Sequence, residues 1–389
     1  MVVFIVEQLY RQMVVKLWFN LMDEINLTKN LISIKSINPG GNEIEVFNFL
    51  KKILKKYNFR YKEYILEKKH PNLFIDFSKT KNKNTVLFIG HLDTVPFGKK
   101  KWKYDPLNPV IFNNKLYGRG STDMKGGIAT FLSAAISLKN NNFKNANLKG
   151  IFVSKEETAC EGSIFISKYL KYENVIAVVV PEPTDNIPLI GHKGVIWLKL
   201  IIEGKTAHGS SPELGDNAIY KSLEIIKKIK KIKFNDKHKY LGTPTINIGM
   251  IKSGQNINSV PDLAEIFVDI RTVGPNKKYL TKIKKYLKNN CKFQVIANQE
   301  FVYNEKWKNK KNLKFLKDIS NDAGFKFKPL TAKYFTDGAP IQKIYKKPFT
   351  IILGPGTTKL AHQTNENVKI SALKKSKEMF RKIIKSYCL

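Results

Sequence analysis

The chain has 389 residues, 42% of them apolar, enough to bury a large core and to fold as two domains rather than one. Its formal charge of +36 would ordinarily point to nucleic acid or an anionic membrane. It is carried almost wholly by lysines spread through every segment beside many asparagines, with arginine only at Arg11, Arg60, Arg119, Arg271 and Arg381. That distribution reads as a solvated surface, so neither a nucleic-acid nor a membrane partner is expected. Three scattered cysteines, Cys160, Cys291 and Cys388, show no metal-type spacing and suit a reducing cytoplasm.

Residues 1–21 are apolar, but Glu7, Arg11 and Lys16 break the run and no small-residue cleavage site follows, so they read as an extension. Met22-Asp-Glu-Ile opens the first helical pattern, and Val46, Phe47, Leu50, Ile53, Leu54 and Tyr57 keep the three-and-four spacing of a second helix. Short Val- and Ile-rich runs at 86–89, 151–153, 176–180 and 349–352 read as parallel strands buried on both faces, separated by lengths that leave room for crossover helices. A different order interrupts them. Residues 196–203 read as a strand, 216–232 as a helix, 245–250 and 265–271 as strands, 277–287 as a helix and 293–297 as a strand. This β-α-β-β-α-β order is that of a ferredoxin-like module, and residues 370–387 close the chain as a helix.

The expected fold class is therefore α/β: a mainly parallel-sheet domain with an inserted ferredoxin-like α+β domain. The boundaries read as an extension at 1–21, the parallel-sheet domain at 22–193 and 304–389, and the inserted domain at 194–303.

Five residues follow the apolar runs or a glycine-rich turn: His91 after 86–89, Glu157 after 151–153, Glu182 after 176–180, His362 beyond 349–352, and Asp123 in Tyr117-Gly-Arg-Gly-Ser-Thr-Asp-Met-Lys-Gly-Gly127. Open parallel sheets bind ligands beyond the carboxyl ends of their strands. Taken singly, each residue has a plain structural explanation, Asp123 as a helix N-cap among them. Together, against a background of Lys and Asn, they read as a two-metal site. Two imidazoles and three carboxylates suit Zn²⁺, with Mn²⁺ or Co²⁺ possible substitutes, and fit Ca²⁺ poorly.

The motifs His91-Leu-Asp-Thr-Val-Pro96, Gly118-Arg-Gly-Ser-Thr-Asp-Met-Lys-Gly-Gly127, Glu156-Glu157-Thr158, Pro181-Glu-Pro-Thr184, Gly191-His-Lys-Gly194, Thr206-Ala-His-Gly209 and Ala361-His-Gln363 occur in one order along the chain. In this the chain resembles the M20 metallopeptidase family, in its acetylornithine deacetylase and succinyl-diaminopimelate desuccinylase branch. The resemblance implies that the parallel-sheet domain is the catalytic domain and the inserted ferredoxin-like domain a dimerisation or lid domain, and it implies two zinc ions per subunit, with Asp123 bridging them, His91 and Glu182 on one, and Glu157 and His362 on the other. It further implies Glu156 as general base and Asp93 as the carboxylate accepting the second ring N–H of His91. From a homodimer partner, His208 would stabilise the oxyanion, while Arg271 would hold the substrate α-carboxylate and Asn258 add a hydrogen bond. His192 is taken as a hinge or structural residue, and His70 and His238 as surface positions.

The substrate implied is an acylated amino acid. N²-acetyl-L-ornithine is set first, because the Tyr334-Phe-Thr-Asp-Gly-Ala-Pro340, Leu353-Gly-Pro-Gly356 and Asp93-Thr-Val-Pro-Phe97 stretches resemble the acetylornithine enzymes. N-succinyl-L,L-diaminopimelate is the runner-up. A dipeptidase or carboxypeptidase of the same family and a non-enzymatic basic binding protein are the further alternatives.

Overall fold

The structure is a computed structural model describing residues 23–389 except 79, 81, 171–173 and 346. The extension at 1–21 and the opening role of Met22 lie outside the described residues. The first described helix is Glu24–Ile32, whose Asp23 cap accepts from the Asn26 backbone N–H at 2.7 Å.

The chain forms two compact units. The first holds the described residues up to Ile190 with Asn304–Pro329 and Thr336–Leu389; the second holds Gly191–Tyr303 and Leu330–Phe335. Among the described residues the main sheet of the first unit has six strands, in the order Arg60–Glu67, His70–Asp76, Asn147–Val153, Asn84–His91, Asn174–Val180 and Phe349–Ile352. The last four, grown from the four apolar runs, are parallel neighbours. Branched side chains line both faces of these strands, as burial on two sides requires.

The other two strands pair antiparallel and extend one edge. Arg60–Glu67 is mostly exposed and rich in Lys, Glu and Tyr, so no apolar run announces it. Helices Ile44–Lys56, Lys125–Ser137 and Ile370–Cys388 belong to the same unit, and Phe131 of the second stacks on Phe88 of the sheet with ring centroids 3.9 Å apart. Helix Lys125–Ser137 is buried almost throughout, which explains its lack of a polar stripe. Its first turn sits so close to the strand end before Glu182 that a Cβ on Gly127 would lie 1.9 Å from the Pro181 carbonyl oxygen.

The second unit carries four antiparallel strands in the order Thr245–Ser253, Leu263–Thr272, Gly194–Glu203 and Lys292–Gln299. Helices Ala218–Lys231 and Asn276–Leu287 complete β-α-β-β-α-β. Alternate residues of the central strands, Leu198, Leu200, Ile202, Ile266, Val268 and Ile270, form one core with Ile225, Ile229 and Ile283 of the helices.

Two boundaries differ from those read in the sequence. Gly191–Lys193 belongs to the second unit, because Gly191–His192 pairs with Val302–Tyr303. Leu330–Phe335, placed in the resumed catalytic domain, also belongs there: the Ala332 N–H donates to Gly191 O, the Thr331 hydroxyl donates to Tyr240 O, and Phe335 packs edge-on against Trp197.

Candidate metal centre

Strand order places the first ligands. His91 ends the central strand and stands in register with Val153, so the Glu156-Glu157 turn leaves the adjacent strand at the same rim. Glu182 lies two residues beyond Val180 on the neighbour to the other side, and the loop carrying His362 follows the outermost parallel strand. Asp123 arrives on the turn before helix Lys125–Ser137. It does not cap that helix: the cap position is Met124, whose side chain makes no capping hydrogen bond and whose sulfur accepts the His91 N–H at 3.3 Å, while the Asp123 carboxylate is turned toward two imidazoles.

The geometry is that of a shared carboxylate. Asp123 Oδ1 is 3.3 Å from His91 Nε2, and Oδ2 is 3.2 Å from His362 Nε2. His91 Nε2 lies 3.6 Å from Glu182 Oε1, and His362 Nε2 lies 3.1 Å from Glu157 Oε1. Three groups of three donors result, two of them around Asp123, with His91 and Glu182 and with Glu157 and His362, and a third of His91, Glu156 and Glu157, each with its ligand atoms within 4.8 Å of one another. Bonds of about 2.0–2.2 Å to one tetrahedral ion would hold two ligand atoms roughly 3.3–3.5 Å apart, so the donor set fits two cations sharing Asp123.

Electrostatics agree. Burial raises Glu156 and Glu182 well above the usual carboxylate range, with nearby carboxylates adding to the shift. The hydrogen bonds to Asp123 and Glu157 push His362 up to about 11. Burial works against the charge on Asp123, yet hydrogen bonds from His362 and His91 keep it below its ordinary value. Four carboxylates facing two imidazoles leave a cluster short of positive charge, which divalent cations supply.

Asp93 meets the His91 ring at two points. His91 Nδ1 lies 3.0 Å from the Asp93 backbone carbonyl and 3.5 Å from its carboxylate. The carboxylate also accepts from the backbone N–H groups of Glu156 and Glu157, both at 3.1 Å, and from the Asn38 side chain. Asp93 thus holds both the imidazole and the turn that presents Glu156. Nor is His70 a plain surface residue, since its Nδ1 lies 2.6 Å from Glu43, which also receives the Lys155 N–H.

Three buried acids escaped the sequence reading. Glu43 braces the Glu156 turn, Asp337 lies at the start of helix Gly338–Ile344 with burial pushing it up to about 6, and Glu366 follows His362 by four residues. Glu366 was legible by the criterion that found the candidate ligands: an isolated acid beyond a buried strand, here just before the short strand Asn367–Lys369.

His208, Asn258 and Arg271 belong to the second unit. His208 and Asn258 are exposed on neighbouring backbone, where the Gly209 N–H donates to Asn258 O at 2.7 Å. The Nδ1 of His208 is held by the Ser210 hydroxyl at 2.7 Å. Arg271 gives Nε and Nη2 to Asp269, while its buried Nη1 has no hydrogen-bond partner. His192 is buried, as a structural role requires, and His238 packs against Tyr303 with ring centroids 4.6 Å apart.

The profile of peptidase family M20/M25/M40 matches residues 87–386. The chain belongs to this family. As a member it is a metal-dependent hydrolase of linear amides. Acetylornithine deacetylase of Buchnera aphidicola is 32% identical, with 94% of this chain and 98% of the relative covered. Succinyl-diaminopimelate desuccinylase of Wolbachia pipientis is 30% identical, with 94% of each covered. Among solved structures, an M20 family metallo-carboxypeptidase from Sulfolobus solfataricus superposes with a TM-score of 0.79 at 21% identity, covering 94% of this chain and 99% of that one. The two-part architecture is that of the family. Among the described residues no helix is long and apolar enough to cross a membrane.

Proposed function

We propose that the protein is a dinuclear zinc deacylase that hydrolyses the N-acyl amide of an acylated amino acid, with N²-acetyl-L-ornithine the substrate, giving L-ornithine and acetate. The observation that carries this reading is the Asp123 carboxylate set between the two imidazoles with Glu157 and Glu182 beside them. His91, Asp123 and Glu182 would hold one ion, and Asp123, Glu157 and His362 the other. Bound there, the pair would polarise the amide carbonyl and acidify a water, chemistry that Co²⁺ or Mn²⁺ can also supply.

The chain's own residues do the rest. Glu156 is buried beside the ligands but completes neither group of three around Asp123, so its carboxylate takes the proton of the attacking water and returns it to the departing amine nitrogen. Asp93 holds that turn in place through the two backbone N–H groups. The unpartnered Nη1 of Arg271 suits a substrate α-carboxylate, and Asn258 adds a polar contact. His208 serves the oxyanion of the other protomer's substrate in a homodimer. The dimer rests on Thr245–Ser253, an edge strand exposing Met250 and Ile251, and on the exposed Ile219, Tyr220 and Leu223 of the same unit's first helix. Three unpaired cysteines fit a cytoplasmic enzyme.

The acetyl reading is favoured over the succinyl one by the 334–340 and 353–356 stretches, and because a second carboxylate would need donors of its own. Desuccinylation of N-succinyl-L,L-diaminopimelate is the alternative, supported by the comparable similarity of the Wolbachia relative. Measuring kcat/KM for both compounds on one zinc-loaded sample decides it. The expected result favours acetylornithine; a tenfold or greater preference for the succinylated compound, about 1.4 kcal/mol in the transition state, overturns the choice.

A further inference from the structure

We infer that Glu366 is a positioning residue that locks together the two loops presenting the shared carboxylate and the second imidazole, and thereby sets metal affinity. The inference rests on the dinuclear reading of the site and adds to it a residue that is not itself a ligand.

The geometry is unusually complete for one side chain. Glu366 is fully buried, and its Oε1 accepts three backbone N–H groups of a single turn, from Gly120 at 3.1 Å, Thr122 at 2.8 Å and Asp123 at 3.0 Å. Its Oε2 accepts from Arg119 Nη1 at 2.7 Å. Backbone adds a further tie, since the Gly118 N–H donates to Glu366 O at 3.0 Å. The Asp123 turn is therefore wrapped around this carboxylate, and the N–H of the shared ligand itself is one of the donors.

Glu366 lies four residues after His362, on the loop that must bring the second imidazole to the opposite side of Asp123. His362 sits at φ 62°, a backbone region that an L residue holds only when its surroundings demand it. Arg119 supplies that demand from the other side. Its Nη1 also reaches Gln363 O at 3.3 Å, its Nη2 donates to Pro96 O at 2.9 Å, and the Trp102 ring covers it at 5.0 Å. One buried ion pair thus connects the turn before Asp123, the loop of His362 and the stretch after His91.

A pair so enclosed by backbone acts on orientation more than on net stability. The two imidazoles must approach different oxygens of one carboxylate, and a displacement of a few tenths of an ångström in either loop spoils both groups of three donors around Asp123.

The test is metal affinity, measured by chelator competition on the full-length protein with Zn²⁺ and with Co²⁺, alongside circular dichroism and activity. Glu366→Gln keeps the size but places an amide where the Arg119 fork and the N–H groups require an acceptor. It is expected to stay folded, to bind both ions at least tenfold more weakly, and to lose kcat at metal concentrations that saturate the parent. If Glu366→Gln fails to fold, Arg119→Lys keeps the charge and removes the fork, and a three- to tenfold weakening is expected. A folded Glu366→Gln protein, or in its place an Arg119→Lys protein, that binds two equivalents with parental affinity overturns the inference. His91→Ala and His362→Ala, measured in parallel, separate this from the site itself. Should they also keep parental affinity, the dinuclear reading has failed; should they lose metal while Glu366→Gln does not, only the positioning role has failed.

Discussion

Glu156 and Asp123 both stand within 4.0 Å of His91 Nε2, yet their removal should read differently. Glu156→Gln removes the proposed proton acceptor and none of the five proposed ligands, so it should keep metal content near that of the parent while kcat falls by about two to four orders of magnitude. Elemental analysis beside steady-state kinetics checks this, and substantial residual turnover would take Glu156 out of the mechanism. Asp123→Ala removes the ligand proposed to be common to both ions and should lose metal and activity together. Retention of both ions would refute the shared-ligand assignment.

His192 supplies a pH prediction. It is fully buried with Nδ1 against the Lys193 carbonyl at 2.7 Å and Nε2 without a partner, and burial lowers its pKa from 6.5 to about 4. The folded state thus resists the proton that the unfolded chain accepts. The stability of the neutral ring is complete above pH 6.5 and is lost as pH falls from there toward 4, by at most about 3 kcal/mol. Denaturant titrations at pH 7 and pH 5 should show a smaller difference for His192→Gln than for the parent; equal differences would exclude this source. At this scale the ligand types were legible, since a histidine or acid beyond a buried strand stands out among lysines. The second bonds of Asp93, Glu43 and Glu366 were not, because their partners are backbone groups 60 to 250 residues away.

Among the elements, helix Lys125–Ser137 constrains the site most. It lies against the turn of Asp123 at one end, where a Cβ on Gly126 would come 2.3 Å from Ser121 O, and against the strand end before Glu182, where one on Gly127 would come 1.9 Å from Pro181 O. Both obstacles are backbone carbonyls that no side-chain rotation can relieve. Gly127→Ala should destabilise the protein by about 3 kcal/mol, lower Tm by roughly 5 °C or more, and weaken metal binding by moving Glu182. Unchanged Tm and metal affinity would show that the helix can withdraw freely. The strands reveal what a sequence pattern can convey. Continuous Val and Ile runs exposed the four parallel strands, because burial on both faces leaves no polar alternation. The Arg60–Glu67 edge stayed hidden, since an edge facing water tolerates Lys and Glu.

For the whole molecule, the exposed edge of Thr245–Ser253 leads to a prediction about assembly. On the proposed dimer, Ile251→Lys, at a side chain 48% exposed in this chain, should leave the fold intact and shift sedimentation toward monomer, with activity falling if His208 serves the partner's site as proposed. Mixing His208→Ala with Glu156→Gln should restore part of the activity in mixed dimers. If heterodimers form and stay inactive, His208 does not act across the interface.

Local periodicity and isolated polar residues declared the fold class, the inserted β-α-β-β-α-β unit and the five residues proposed as ligands, because burial and strand ends impress themselves on neighbouring residues. Three things required the folded chain. It separated the Asp123 oxygens between two imidazoles, it assigned 330–335 to the second unit, and it wrapped the Asp123 turn around Glu366. Each depends on contacts between segments far apart in sequence, and such contacts leave no period and no composition by which a single stretch of residues could betray them.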